Sequence, residues 1–557
     1  MSQPVPKPLT DLEIAQQAKP KDIYRVAEEL GISSERLFPF GKYIAKVEPL
    51  ASAAHETSRP KGRLILVTAM SPTKAGEGKT TVTVGLGDAL RLAGKKVCIA
   101  LREPSMGPVF GVKGGAAGGG WSQVVPMEDL NLHFTGDIHS VTAAHNLITA
   151  LLENHLYRRL EPRFHPQKIA WHRVLDMNDR SLRNIITGTG EDSGSLRRTG
   201  FSITAASEVM AILCLAKDLD DLKTRLGEIY LGESETGEPI RVKDLGFQGA
   251  AATVLHRAIH PNLVQTLAGT PVMVHGGPFA NIAHGTNSTI AHRLALDHSE
   301  ITVTEAGFGA DLGGQKFLDL VGQLTAIEPQ GVVVVATLRA IQHHGQGSDS
   351  PLTSGLSNLV GHLENLRDIY GLSPVVALNR FPGDRDEDLT TVLTNLEKLG
   401  FSGAVTEVWA KGGEGGAELA QLVLNTLDQW AGRSVTRLCT PGLTIVQSIE
   451  RIAQSVYKAS RVEFSPQALK SLERYDRQGY SNLPVCIAKT QYSFSHDPNL
   501  LGRPQGFTFP IRDITISSGA GFAVALAGDM MTMPGLSKKP AALAMDIDQK
   551  GVFSGLF

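Results

Sequence analysis

A chain of 557 residues is long enough for several domains and a large buried core, which excludes a small binding module. Its formal charge of -2 and pI near 6.8 rule out a global basic field, so small soluble anions are expected as partners and nucleic acid is not. No apolar run nears the ~20 residues of a membrane span, the N-terminus lacks an apolar core of signal length, and Cys98, Cys214, Cys439 and Cys486 lie too far apart for a zinc site or disulfide framework; a cytoplasmic protein is the expectation.

Residues 1–60 read as helical. Thr10-Asp-Leu-Glu13 has capping-box spacing, and Ile23, Val26, Ala27 and Leu30 form one apolar face that Gly31 closes. An apolar strand over 63–69 then runs into Thr73-Lys-Ala-Gly-Glu-Gly-Lys-Thr80, followed by a helix to about Ala93 and a strand over 96–101, one βαβ unit. Glycines at 76 and 78 let backbone amides curl around phosphate oxygens, Lys79 adds a charge, and Thr80 is placed to hold Mg²⁺, so Thr73 through Thr80 read as an ATP site.

Arg102 and Glu103 follow the strand at the same sheet edge as this loop. An arginine there can grip a carboxylate or acyl phosphate through two hydrogen bonds, or it is an ordinary solvated arginine; Glu103 is a helix-starting carboxylate or a cation ligand. The Gly-rich run Gly111 to Gly120 reads as a loop. Apolar runs Val272–Val274, Ile301–Thr304, Val332–Ala336, Val375–Leu378 and Val405–Val408 alternate with helical stretches, as an open, mostly parallel, doubly wound sheet requires. Ligands bind outside the carboxyl ends of such strands, so the tails at His275, Glu305, Thr337, Asn379 and Trp409 are the expected walls. His344 to Gly355 reads as a loop. Phe381 and Trp409 close strand-end loops, where large rings either sandwich a flat heterocycle or pack into the core.

Taken together, Thr73 to Thr81, Leu101 to Pro108, Gly111 to Gly120, Pro126 to Asp137, Val174 to Asp179, His275 to Gly285, Glu305 to Gly313, Trp409 to Gly415, Ala488 to Ser493 and Met531 to Leu536 resemble the formate–tetrahydrofolate ligases over nearly the whole chain. The resemblance implies a phosphate-binding-loop α/β fold with two smaller α/β domains, divided here as 1–360, 361–460 and 461–557. It implies that ATP with Mg²⁺ phosphorylates formate and that tetrahydrofolate attacks the formyl phosphate, with Lys79 and Arg102 catalytic. Phe381 and Trp409 are similar to the family's pterin-stacking pair, and Glu103 and Asp137 are its implied ligands for a monovalent cation, K⁺ or NH₄⁺. A homotetramer is implied as well.

The chain departs from the family pattern at Lys74, Trp121, Thr286, Gln342 and Gln346, where proline, tyrosine, cysteine, a basic residue and glycine are usual. A second class, the dimeric switch ATPases, shares the form of Lys74 to Thr81, and a catalytically inert scaffold is a third.

Overall fold

The structure, a computed structural model, describes residues 9–49, 62–111, 117–430, 433–528 and 530–556. Residues 112–116 of the Gly-rich run, and 1–8 and 50–61 of the N-terminal region, lie outside the described residues. Helix α1 (Asp11–Gln16) is closed by the expected capping box: Glu13 N donates to Thr10 Oγ1 at 3.2 Å and Thr10 N to Glu13 Oε2 at 2.7 Å. Helix α2 (Ile23–Leu30) buries Ile23, Val26, Ala27 and Leu30 and ends at Gly31. The region is not helical throughout, however, because β1 (Leu37–Pro39) and β2 (Ala45–Val47) form an antiparallel pair at a sheet edge. Both residues flanking Lys46 are apolar and buried, and its ammonium is itself paired inside the protein, so a charged residue sits within an otherwise apolar strand.

The sheet is completed by β3 (Arg63–Ala69), β4 (Val97–Leu101), β5 (Gly118–Gly119), β6 (Ser122–Val125), β7 (Asn262–Thr266), β8 (Pro271–Val274), β9 (Ile301–Glu305), β10 (Gly331–Ala336), β11 (Pro374–Asn379) and β12 (Ser402–Thr406). It has 12 strands in the order β1-β2-β7-β8-β4-β9-β3-β10-β11-β12, with β6 on β7 and β5 on β6. From β8 to β12 in that order every neighbouring pair is parallel. Antiparallel pairing is confined to the β1, β2, β7 edge and the β5–β6 ribbon. The fold is therefore mixed α/β around a large, mostly parallel sheet. Segment 361–460 adds β11 and β12 to this same sheet, while 461–557 forms smaller sheets of its own, among them Val485–Ala488, Asp513–Ser517 and Phe522–Leu526.

Both faces of the sheet are covered, which is why its strands read as unbroken apolar runs. In β3, Ile65 and Val67 pack with Val82, Leu86, Ala89 and Leu90 of α3 (Lys79–Leu92), whereas Leu64 and Leu66 pack on the other face with Phe317, Leu318 and Val321. Each of these four strand side chains is fully buried, worth about 1.5–3 kcal/mol apiece.

Two further expectations are corrected. The strand predicted to reach Val408 stops at Thr406, and Val408–Lys411 form a one-turn helix, because the Glu407 amide donates to Gly415 O at 3.0 Å and turns the chain. The loop predicted over 344–355 is only partly one: α4 (Leu338–His344) ends there, but α5 (Pro351–Glu364) starts at Pro351, where proline's missing amide is no loss.

Gly85, inside α3, lets Val408 approach so closely that a Cβ would lie 2.4 Å from the Val408 Cβ and 2.8 Å from the Ser122 hydroxyl. Gly85→Ala is expected to destabilise the protein by about 1–3 kcal/mol in urea unfolding, the usual cost of overpacking.

Candidate active site

Parallel pairing from β8 to β12 brings the carboxyl ends of those strands to one edge, where Arg102 follows β4, Glu305 ends β9, Thr337 follows β10 and Asn379 ends β11, whereas His275 after β8 is buried against Ser288 Oγ and Ala258 O. The turn after β3 runs through Thr73–Gly78 into α3, and its shape is set by Glu77. That buried carboxylate accepts from Thr73 N at 2.6 Å and Thr73 Oγ1 at 2.8 Å through one oxygen, and from Thr337 Oγ1 through the other. The Glu77 carbonyl accepts from Asn379 Nδ2 at 3.0 Å, and the Gly76 carbonyl from Arg339 Nη2 at 2.6 Å. Gly78 is required twice over: its φ is 73°, and a Cβ there would meet Asn379 Nδ2 at 2.5 Å. Lys74 and Ala75 stand exposed at the tip of the turn.

Lys79, first residue of α3, reaches back to donate to Ala306 O. Desolvation pushes its ammonium down to about 8, which Glu305 opposes and Arg102 reinforces. Thr80 Oγ1 donates to Glu305 Oε2 at 2.9 Å, and Arg102 Nη2 lies 3.8 Å from Glu305 Oε1. Arg102 Nη1 donates to Pro278 O at 3.4 Å; among the described residues its buried Nε has no partner. Glu305, the last residue of β9, thus sits between Lys79, Thr80 and Arg102, and the three predicted polar residues are brought together around an acid that the sequence marked only as a wall of the site. The signal was its place at the end of an inner strand.

Glu103 and Asp137 are both buried and close enough for their charges to interact. Asp137 opens a helix, Asp137–Arg158, and is neutralised by Lys46, whose Nζ lies 2.6 Å from Oδ1 and 2.8 Å from Oδ2 and also donates to His260 O and Asn262 Oδ1 at 3.0 Å. Glu103 Oε2 is buried without a partner among the described residues. Burial first, then the Asp137 carboxylate, hold the Glu103 pKa well above the usual carboxylate range, and Lys46 offsets part of this.

Phe381 and Trp409 line one cavity of about 680 Å³ together with Gly76, Gly78, Asn131 and Pro382. Phe381 N donates to Asp384 Oδ2 at 2.8 Å, and the Arg339 guanidinium lies over its ring at 4.9 Å. Trp409 is 38% exposed, and its carbonyl accepts from Trp121 N at 2.8 Å. The cavity opens directly beside the phosphate-type turn, so a flat ring held there lies next to whatever the turn binds. Among the described residues no helix is long and apolar enough to cross a membrane.

A family model described as formate–tetrahydrofolate ligase matches residues 9–557, nearly the entire chain. The glycine-containing turn after β3, the arginine after β4, one strand removed, and the ring-lined cavity are what such a reaction needs. The chain belongs to the formate–tetrahydrofolate ligase family and is an ATP-dependent ligase that joins formate to tetrahydrofolate.

Proposed function

We propose that the ligation runs through formyl phosphate on a phosphate-binding-loop, doubly wound scaffold. Thr73 N and Gly76 N are bonded within the turn, to Glu77 Oε1 and Thr73 O, so the remaining amides up to Gly78 and the Lys79 ammonium hold the triphosphate, and the α3 N-terminus adds its dipole. A formate oxygen attacks the γ-phosphorus, ADP leaves, and the Arg102 guanidinium neutralises the mixed anhydride as it forms. N10 of tetrahydrofolate then attacks the formyl carbon, loses its proton, and expels phosphate. The observation that carries this reading is the meeting of Lys79, Thr80 and Arg102 at Glu305, with the Arg102 Nε still unpartnered.

Mg²⁺ fits Thr80 and Glu305, a hydroxyl and a carboxylate 2.9 Å apart that form a hard-oxygen pair. Held there it would neutralise charge on the terminal phosphates. K⁺ or NH₄⁺ fits beside Glu103, whose unpartnered oxygen calls for a cation, while Asp137 is already satisfied by Lys46 and contributes only its field. The resemblance further supports a homotetramer, which sedimentation can check. The cytoplasmic expectation is consistent with four buried cysteines that are all free thiols.

The pterin is placed between Phe381 and Trp409 in the 680 Å³ cavity. Trp409→Ala is expected to raise the KM for tetrahydrofolate about tenfold, since stacking one ring is worth about 1–3 kcal/mol, and to change kcat less. Steady-state kinetics with tetrahydrofolate varied read this directly. The intermediate itself is tested with ¹⁸O-labelled formate: one labelled oxygen is expected in the released phosphate. Phosphate free of label would overturn the route.

A further inference from the structure

We infer that a second cavity, formed where the helix Asp137–Arg158 and the loop 278–284 meet the C-terminal strands, takes a small carboxylic acid with a flat apolar body, and that its occupancy is felt at Arg102. The cavity has a volume of about 380 Å³ and shares no described lining residue with the ring cavity. Trp171, Ile282 and Phe522 supply apolar wall, and Arg474 and Tyr475, from the helix Pro466–Arg477, supply donors.

Among the described residues, Arg474 is the one lining group charged at neutral pH. Glu208, the lining acid, accepts from Gly519 N at 2.7 Å and Ala520 N at 3.4 Å, but desolvation pushes its carboxyl up to about 8 and leaves it mostly protonated. Burial pushes His145 down to about 3 and lowers His172 as well, so neither imidazole carries charge. Glu233, outside the lining, lies 3.7 Å from Arg474 Nε, yet it is shared with Lys168 at 3.8 Å, so two cations divide one carboxylate. Tyr475 Oη accepts from Arg474 Nη2 at 2.8 Å, which leaves the phenol its own proton to give, and among the described residues the buried Arg474 Nε has no hydrogen-bond partner. A carboxylate is the group this end lacks.

His145 sets the second requirement. Its Nε2 donates to His172 O at 2.8 Å, so Nδ1 is a bare acceptor, and it is buried without a partner among the described residues. The imidazole is stacked on Trp171 with centroids 4.0 Å apart and planes 16° from parallel, which makes that wall flat. The ligand class is therefore an acid with a planar apolar body and a hydroxyl or N–H to give. Ile282 and Ala283 link the cavity to the reaction. They belong to the loop whose Pro278 carbonyl accepts from Arg102 Nη1 at 3.4 Å and whose Ala280 carbonyl accepts from Lys316 Nζ at 2.6 Å. Filling the cavity packs this loop and steadies the Arg102 fork for formate, a link that rests on the placement of formate at Arg102 proposed above.

The test is calorimetric titration with 4-hydroxyphenylacetate, which carries the carboxylate, the flat ring and the hydroxyl. It is expected to bind the unaltered enzyme, Arg102→Ala and Trp409→Ala alike. Replacing the acid by 4-hydroxyphenylacetamide, or the enzyme by Arg474→Gln, should weaken binding about tenfold or more, the scale of one hydrogen bond to a charged group. Absence of binding overturns the site, as does binding that neither replacement weakens. Loss of binding in Arg102→Ala or Trp409→Ala overturns it too, by giving the acid to the formate or the pterin position. With the acid saturating, the KM for formate should fall about fivefold, the lower end of coupling between two sites. That fall should vanish in Arg474→Gln, whose own KM and kcat stay those of the unaltered enzyme. An unmoved set of KM values with the acid bound overturns the link to Arg102, whereas a shift confined to the KM for ATP or tetrahydrofolate would keep the site and count against formate at Arg102.

Discussion

Replacing Lys79 by alanine is expected to lower turnover by about 10³-fold or more, the scale of removing a fixed charge from a phosphoryl group in transfer. Lys79 is the first residue of α3, directly after the turn, and its ammonium is drawn inward to Ala306 O, under the influence of Glu305 and Arg102. Without it the Glu305 carboxylate faces the incoming triphosphate with less compensation, so nucleotide affinity and the chemical step should both fall. Formate- and tetrahydrofolate-dependent ADP release measures the loss, and an unchanged melting temperature would show that folding is intact. Lys74→Ala provides the contrast. That side chain is exposed at the tip of the turn, and its removal should change turnover only a few-fold, whereas a lysine that reached across a dimer would be indispensable. An unimpaired Lys79→Ala enzyme would remove this lysine from the mechanism.

Arg102→Ala is expected to keep nucleotide binding and lose about 10²-fold or more in turnover, comparable to deleting one donor that stabilises a developing oxyanion. Among the described residues the guanidinium makes no hydrogen bond to the turn and is linked to Thr80 through Glu305, at 3.8 Å, so the triphosphate should still seat without it. Formate, in contrast, loses its cation. Arg102→Lys should not restore the rate, because an ammonium cannot reproduce the planar fork that two carboxylate oxygens require. Calorimetric titration with Mg-nucleotide tests the first half, and trapping of the acyl phosphate with hydroxylamine in a single turnover tests the second. Equal loss of nucleotide binding and of trapping would make Arg102 a structural residue.

The stretch from Arg63 to Leu101 was legible as strand, turn, helix and strand because every local signal agreed: an apolar run, glycines at the turn, and a helical span ending near Ala93. The strand ends at Glu305, Thr337 and Asn379 were equally visible, since buried parallel strands are continuous apolar runs ending in polar residues. Short edge elements were not. β1 and β2 span Leu37–Pro39 and Ala45–Val47, too few residues for a period to emerge, and Lys46 disguises the second of them. Val408 looks like strand by composition but is pulled into a helical turn by the bond from Glu407 to Gly415 and by the room Gly85 leaves for it. The helix beginning at Pro351 was hidden by a run of Gly, Ser and Asp that belongs to the preceding turn.

By itself the amino-acid order determined the α/β class and the family, and it singled out the loop, lysine, threonine and arginine proposed here to organise the phosphoryl chemistry, because glycine spacing and strand-end position are local properties. Tertiary structure alone decided that Glu305, more than 200 residues along the chain, meets Thr80 and Arg102. It also decided that Lys46 neutralises Asp137, and that Arg339 joins the turn to the face of Phe381. These are contacts across neighbouring strands and distant loops. Their existence depends on the β4-β9-β3-β10 strand order, which chain-local periodicity cannot encode.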